Sequence, residues 1–310
     1  MKLFVYTALD SVNRANLRQQ LPPTLEAVFA SELPQEAQTA EFQAADLLLG
    51  NPPPAWFAPL APKLQFWQLD SAGFERYAAL RLPFPVANVG DYFAWPCAET
   101  IVAGILALYR HIHELTRLQS QHRWMGAPIR PRLQLLRHKK VIILGAGAIG
   151  RAVHQQLSGF DCRVQLLART SALAELHTPE QLRAALPATD LVINCLPGTV
   201  PGFFSAAMVA AMRPGSVYAS IGRGATTDEP ALIRALHSGH LGGAVLDVTA
   251  VEPLPAASPL WTLPNVILTQ HSGGGQQNED WGKVDLFLTN LRRFQAGEEL
   301  ENLVDLSRGY

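Results

Sequence analysis

Short apolar runs alternate with polar, helix-compatible stretches through the first hundred residues. KLFVYT, LEAVFA, DLLLG, KLQFWQL and FPVANV are each of strand length, and a helix is expected near residues 11–21. This βα alternation implies a mainly parallel sheet. Residues 51–54, NPPP, stop the run that ends at Gly50, because proline cannot continue a ladder. Between 98 and 118 the apolar residues Ile101, Ile105, Leu108, Ile112 and Leu115 recur at helical spacing, which predicts one long helix bridging two domains. His111 and His113 lie on it two positions apart, so a continuous helix turns them to different sides and a shared metal is not expected.

From Val141 onward six further strands are expected, at 141–144, 163–168, 191–195, 216–221, 243–247 and 265–269. Helical segments or crossovers separate most of them. Thr178-Pro179-Glu180-Gln181 combines an N-cap, an N1 proline and an N3 glutamine; Asp228-Glu229-Pro230 opens a helix whose end is marked by Gly239.

The first of these strands, VIIL, runs into Gly145-x-Gly147-x-x-Gly150. Gly145 allows a tight turn, Gly147 lets the backbone approach a pyrophosphate, and Gly150 lets the following helix pack close to the strand. The helix N-terminus then faces phosphate, and Ala148 and Ile149 within the motif are expected to bind the cofactor. The motif alone is weak. Its position after an apolar strand and before the periodic Ile149, Val153 and Leu157 is the context that a dinucleotide site requires.

The expected fold is therefore α/β with two doubly wound parallel-sheet domains. A Rossmann dinucleotide-binding domain, residues 98–287, is inserted into a discontinuous, flavodoxin-like substrate domain made of residues 1–97 and 288–310. ENLVDLSRGY at the end has left the strand pattern and is expected to return to the first domain.

Composition narrows the partners. With 25 basic and 26 acidic residues the formal charge is -1, which gives no general attraction to nucleic acid or to an anionic membrane. The cluster Arg130, Arg132, Arg137, His138, Lys139 and Lys140 reads as a solvated linker. Cys97, Cys162 and Cys195 lack metal or disulfide spacing, so neither a metal nor a disulfide framework is expected and a reducing cytoplasm fits. LFVYTAL is cut short by Asp10 and reads as a strand rather than a signal peptide. The apolar stretch 101–109 is far short of the roughly 20 residues that a membrane span needs.

An acid that would hold a ribose 2′-hydroxyl is expected about 20 residues beyond the glycines. Ala168 and Arg169 stand there instead, followed by Thr170 and Ser171. A guanidinium can pair with a 2′-phosphate that a carboxylate would repel, so NADP(H) is expected rather than NAD. The chemistry is sought beyond the carboxyl ends of later strands, where such sheets bind ligands. Arg223 lies in SIGRG, Glu252 in LDVTAVEPL and His271 in LTQHSGG. Reduction of a 2-oxo acid needs a cation for its carboxylate and carbonyl, a proton donor and a nearby hydride. Arg223 can be the cation and His271 the donor, with Glu252 beside it favouring the protonated ring.

These residues, together with ILGAGAIG, CLPGT at 195–199, SIGRGATTDEPAL at 220–232, the run at 242–261 and the terminal VDLSRGY, resemble the D-isomer-specific 2-hydroxyacid dehydrogenases over nearly the whole chain. The resemblance implies that Arg223 orients the substrate, Glu252 supports His271 and His271 shuttles the proton. It implies further that Asp247 meets the nicotinamide amide, that Leu196 and Pro197 line the cofactor cleft, and that the N–H groups of Ala72 and Gly73 hold the substrate carboxylate. The implied reaction is NADPH-dependent reduction of glyoxylate, hydroxypyruvate or a relative to the D-2-hydroxy acid, by a cytoplasmic homodimer paired through its dinucleotide domains.

Two positions depart from the family pattern. The proline that commonly precedes the histidine is Gln270, which bears on where His271 sits. The stretch GDYFAW at 90–95 is more aromatic than a two- or three-carbon substrate requires, so either a bulkier 2-oxo acid or interdomain packing accounts for it. Trp124 is read both as a residue of a substrate cleft, that of a neighbouring subunit included, and as an interface anchor. Two other activities stay open: a nucleotide-sensing corepressor on the same fold, and oxidation of phosphite or formate on the same scaffold.

Overall fold

Each strand-length apolar run named above contains a strand in the computed structural model, which describes residues 1–309; Tyr310, the last of the VDLSRGY run, lies outside them. The chain divides into two compact units. One is Met1–Tyr92 with the chain from Gln276 onward, the other Phe93–Gly275. The divisions fall at 92/93 and 275/276, where the sequence pattern placed them at 97/98 and 287/288, and GDYFAW straddles the first of them.

In the first unit β1 (Lys2–Val5), α1 (Ser11–Gln20), β2 (Glu26–Phe29), α2 (Gln35–Gln43), β3 (Leu47–Leu49), β4 (Phe66–Gln68) and β5 (Val86–Ala87) follow in turn. The strands are parallel in the order β2-β1-β3-β4-β5, the flavodoxin-like order. Leu3, Val5, Leu47 and Phe66 enter one core while Phe4, Leu48 and Trp67 enter another. Successive side chains point to opposite faces, so a strand covered on both sides reads as an unbroken apolar run.

The second unit opens with α3 (Ala94–Tyr109) and α4 (Ile112–Ser120). The single long helix expected from periodicity is thus two. His111 takes a left-handed φ of 52°, which ends the first helix and redirects the chain. The break also overturns the expected divergence of the two histidines: the rings of His111 and His113 stack, with centroids 5.8 Å apart.

There follow β6 (Lys140–Leu144), α5 (Ala148–Leu157), β7 (Arg163–Leu167), α6 (Pro179–Ala185), β8 (Leu191–Asn194), α7 (Ala206–Ala211), β9 (Val217–Ser220), α8 (Glu229–His237), β10 (Gly243–Leu246) and β11 (Val266–Leu268). Their parallel sheet runs β11-β10-β9-β8-β6-β7. Beyond β7 a single parallel bridge joins Leu167 to Leu176, the remnant of one more strand. With that bridge counted the order is the Rossmann one, and β11 is an added edge strand. Thr178 makes the anticipated capping box with Gln181, and the Asp228 side chain caps α8.

The last helix, α9 (Glu279–Ala296), explains the second division. Val284, Phe287, Leu288 and Leu291 pack with Leu3, Val5 and Phe66, so the whole helix belongs to the first unit. No helix among the described residues is long and apolar enough to cross a membrane.

Candidate active site

The glycine loop sits at the switch point of the second sheet, where β6 turns to β7 on one side and β8 leads away on the other. Gly145 has φ 104°, and a Cβ on it would lie 3.1 Å from the Cys195 carbonyl oxygen. A Cβ on Gly150 would collide with the Gly145 carbonyl oxygen, whereas one on Gly147 would meet nothing within 4 Å. The open side is therefore where the motif needs it. The first helical bond of α5 is Arg151 N–H to Gly147 O, so the amides of Ala148, Ile149 and Gly150 are spare donors at the helix start. These residues fit a pyrophosphate.

Arg169 and Thr170 are exposed directly after β7, and Ser171 accepts a hydrogen bond from Leu173 N–H at 3.3 Å. The acid that comes next along the chain, Glu175, spends an oxygen on Leu166 N–H at 2.8 Å. A 2′-phosphate suits such a surface better than a bare hydroxyl does. Leu196, 9% exposed, is held by its N–H on Asn194 Oδ1, and Pro197 follows it.

Beyond β10 and β11 two loops bring the acid–base pair together. His271 Nδ1 lies 2.6 Å from Glu252 Oε2, and Glu252 Oε1 accepts the Thr249 N–H at 2.9 Å. His271 Nε2 has no hydrogen-bond partner among the described residues. The loop backbone is unusual, with Gln270 at φ 55° and His271 at φ 53°. Proline is locked near -65°, so the glutamine before the histidine goes with a turn that proline could not make.

Asp247, 4% exposed, is what holds that turn. One of its carboxylate oxygens accepts Thr269 Oγ1–H at 2.5 Å and the N–H groups of Ser272 and Gly273 at 3.1 Å each, while its carbonyl accepts His271 N–H at 2.6 Å. The second carboxylate oxygen accepts no hydrogen bond from the described residues. Arg223 is half-buried at the end of β9 and donates to the Gly222 carbonyl at 3.0 Å. Cys97 lies in the field of both Asp247 and Arg223; burial, helped by Asp247 and opposed by Arg223, pushes its thiol up to about 11. A cavity of about 400 Å³ adjoins the pair, lined by Leu246, Glu252, Leu254, Trp261, Leu268 and His271 among others.

Ala72 and Gly73 belong to the other unit, in the turn after β4. Asn88 Nδ2 donates to Ala72 O at 2.8 Å and Ser71 Oγ to Gly73 O at 2.7 Å. With these two carbonyls taken up, the N–H groups of Ala72 and Gly73 donate to no partner among the described residues. Such a backbone nest suits an anion. Trp95 is 48% exposed and Trp124 96% exposed.

Three supporting residues escaped the sequence pattern: Asn194, Thr269, and Glu229, which accepts Ala250 N–H at 2.8 Å and so steadies the loop of Glu252. A polar residue closing the apolar strand LVIN was the visible sign of the first.

Residues 102–273 match the family model described as D-isomer specific 2-hydroxyacid dehydrogenase, NAD binding domain. The chain belongs to the D-isomer-specific 2-hydroxyacid dehydrogenase family. It is 32% identical over 220 residues to glyoxylate/hydroxypyruvate reductase A of Yersinia enterocolitica, covering 68% of each chain. Among solved structures, a family member from Aeromonas salmonicida superposes with a TM-score of 0.82 at 28% identity, covering 98% of this chain and 99% of that one. A D-isomer specific 2-hydroxyacid dehydrogenase from Xanthobacter autotrophicus, solved with NADPH and MES, gives 0.81 at 29% identity, covering 100% and 99%. The two parallel α/β sheets described above are those of this dehydrogenase family.

Proposed function

We propose that this 2-hydroxyacid dehydrogenase reduces a small 2-oxo acid, glyoxylate, hydroxypyruvate or a relative, to the D-2-hydroxy acid with NADPH. The observation that carries the reading is the Glu252–His271 pair at 2.6 Å, set on two loops of the same unit as the dinucleotide turn. When bound, NADPH supplies the hydride. Gly145, Gly147, Ala148, Ile149 and Gly150 hold its pyrophosphate, Leu196 and Pro197 line its cleft, and Arg169, Thr170 and Ser171 take the 2′-phosphate. The vacant oxygen of Asp247 accepts the nicotinamide amide.

Arg223 pairs with the substrate carboxylate and draws electron density from the carbonyl, and the N–H groups of Ala72 and Gly73 are an anion-binding element of the first unit. His271 then gives its Nε2 proton to the oxygen that becomes the hydroxyl. Glu252, bonded to Nδ1, steadies the ring and the charge it carries before the transfer. The NADPH complex of the Xanthobacter relative and the arginine in place of an acid after β7 both support the cofactor. A homodimer through the dinucleotide unit is part of the proposal, and the oligomeric state in solution tests it.

The experiment is a steady-state assay of the purified protein with NADPH or NADH and glyoxylate, hydroxypyruvate, pyruvate and phenylpyruvate, with chiral analysis of product. Turnover with NADPH and a D product is expected. Tight NADPH binding with no turnover on any 2-oxo acid would overturn the reading.

A further inference from the structure

Asn194 closes β8 and is wholly buried, as are Tyr218 and Thr226 beside it. Every polar atom beyond its N–H is engaged. Its carbonyl accepts the N–H groups of Ile221 and Gly222 at 3.0 and 3.1 Å, and its Oδ1 accepts the Leu196 N–H at 3.0 Å. Its Nδ2 donates to Tyr218 OH at 2.9 Å and to Thr226 Oγ1 at 2.8 Å. Thr226 Oγ1 in turn donates to the Arg223 carbonyl at 2.7 Å. The two loops joined in this way touch backbone to backbone, for a Cβ on Gly222 would fall 2.7 Å from Leu196 N and 2.9 Å from Cys195 C. No side chain fits between them.

We infer that Asn194 and Thr226 are positioning residues that couple the cofactor loop at Leu196 to the loop carrying Arg223, so that each loop is placed with reference to the other. The inference rests on the proposed roles of Leu196 and Arg223. A buried amide with all its partners met has one arrangement of low energy, because losing any partner leaves an unpaired buried polar atom. A cofactor that orders the 195–197 loop would therefore also order Arg223, through the Asn194 side chain and the Thr226 hydroxyl acting beside the backbone bonds, among them Thr226 N–H to the Arg223 carbonyl at 3.1 Å. That is tighter than two loops held separately by apolar packing.

The test uses the full chain with NADPH and the preferred 2-oxo acid. Thr226→Val keeps the shape of threonine and removes the hydroxyl; Thr226→Ser keeps the hydroxyl and removes a methyl. If the hydroxyl places Arg223, the valine variant raises KM for the 2-oxo acid about tenfold and lowers kcat, with NADPH Kd within twofold, while the serine variant stays within twofold of wild type throughout. Asn194→Ala, which cuts both legs, raises NADPH Kd and the KM together.

The opposite order, serine worse than valine, or variants whose only change is a lower Tm, would make the cluster mere packing and overturn the inference. Should Asn194→Ala fail to fold, the valine–serine order still decides. A wild-type protein without turnover would remove the inference along with the proposed function, and is told apart because the wild type itself is then silent.

Discussion

His271 Nδ1 is held 2.6 Å from Glu252 Oε2, and the second oxygen of that carboxylate is pinned by Thr249 N–H at 2.9 Å. The ring is thereby fixed through one nitrogen while Nε2 stays available. A proton donor at this place is worth about 10²- to 10⁴-fold in rate. His271→Ala is expected to lower kcat by that order with NADPH Kd within twofold of wild type, and Glu252→Gln to lower it less, since the amide can still accept from the ring. Stopped-flow turnover and fluorescence titration of NADPH check both. Unchanged turnover in His271→Ala would remove the histidine from the acid role.

The choice of cofactor rests on a different residue. Arg169 stands exposed just after β7, and a guanidinium on a phosphate contributes about 1.5–3 kcal/mol through charge-assisted hydrogen bonds. Arg169→Ala should raise KM for NADPH roughly 10- to 100-fold and leave KM for NADH nearly unchanged. Equal losses for the two cofactors would show that the arginine does not touch a 2′-phosphate.

Most of the architecture was legible because strands buried on both faces are continuous apolar runs: LLL in β3 and VIIL in β6 can hardly be anything else in a βα chain. The break at His111 was not, since the apolar spacing carries on through Ile112 and Leu115 while a single left-handed residue redirects the axis. The end of the second unit was misplaced for a related reason. The helix from Glu279 to Ala296 is amphipathic wherever it packs, and only the core shared with Leu3 and Phe66 says which sheet it covers. In the site, Glu252 and His271 were visible as polar residues beyond successive strands. The carboxylate of Asp247 was not visible as the anchor of the histidine turn, because its partners Thr269, Ser272 and Gly273 are 22 to 26 residues away and meet it only through strand register.

That turn makes a prediction of its own. Gln270 and His271 both have left-handed φ, near 55° and 53°, a region that costs a non-glycine residue roughly 1–2 kcal/mol and that proline cannot enter. Gln270→Pro, although it restores the residue common in the family, should lower Tm and cut kcat by displacing His271 from Glu252. Gln270→Gly should leave kcat within a few-fold and raise stability by up to about 1 kcal/mol. Differential scanning calorimetry with matched kinetics checks the pair, and a fully active, equally stable proline variant would contradict the observed turn.

Part of the alkaline limb of stability originates in the buried thiol of Cys97, alongside that of Cys195, which burial pushes up further still. Burial, reinforced by Asp247 and opposed by Arg223, pushes the Cys97 thiol from 9.0 to about 11, so the folded state favours the protonated form. An unfolded chain gives up this proton from about pH 9, the folded one only near 11. Stability from this group is thus fully present below pH 9 and is lost as pH rises toward 11, by roughly 2–3 kcal/mol if the shift is fully expressed. Tyr77 and Tyr218, both raised from 10.0 to about 12 chiefly by burial, extend the loss above pH 10. Urea midpoints measured from pH 7 to 11 should fall more steeply for wild type than for Cys97→Ala between pH 9 and 10. Parallel slopes would mean that the thiol ionises no later in the folded protein than in the unfolded chain.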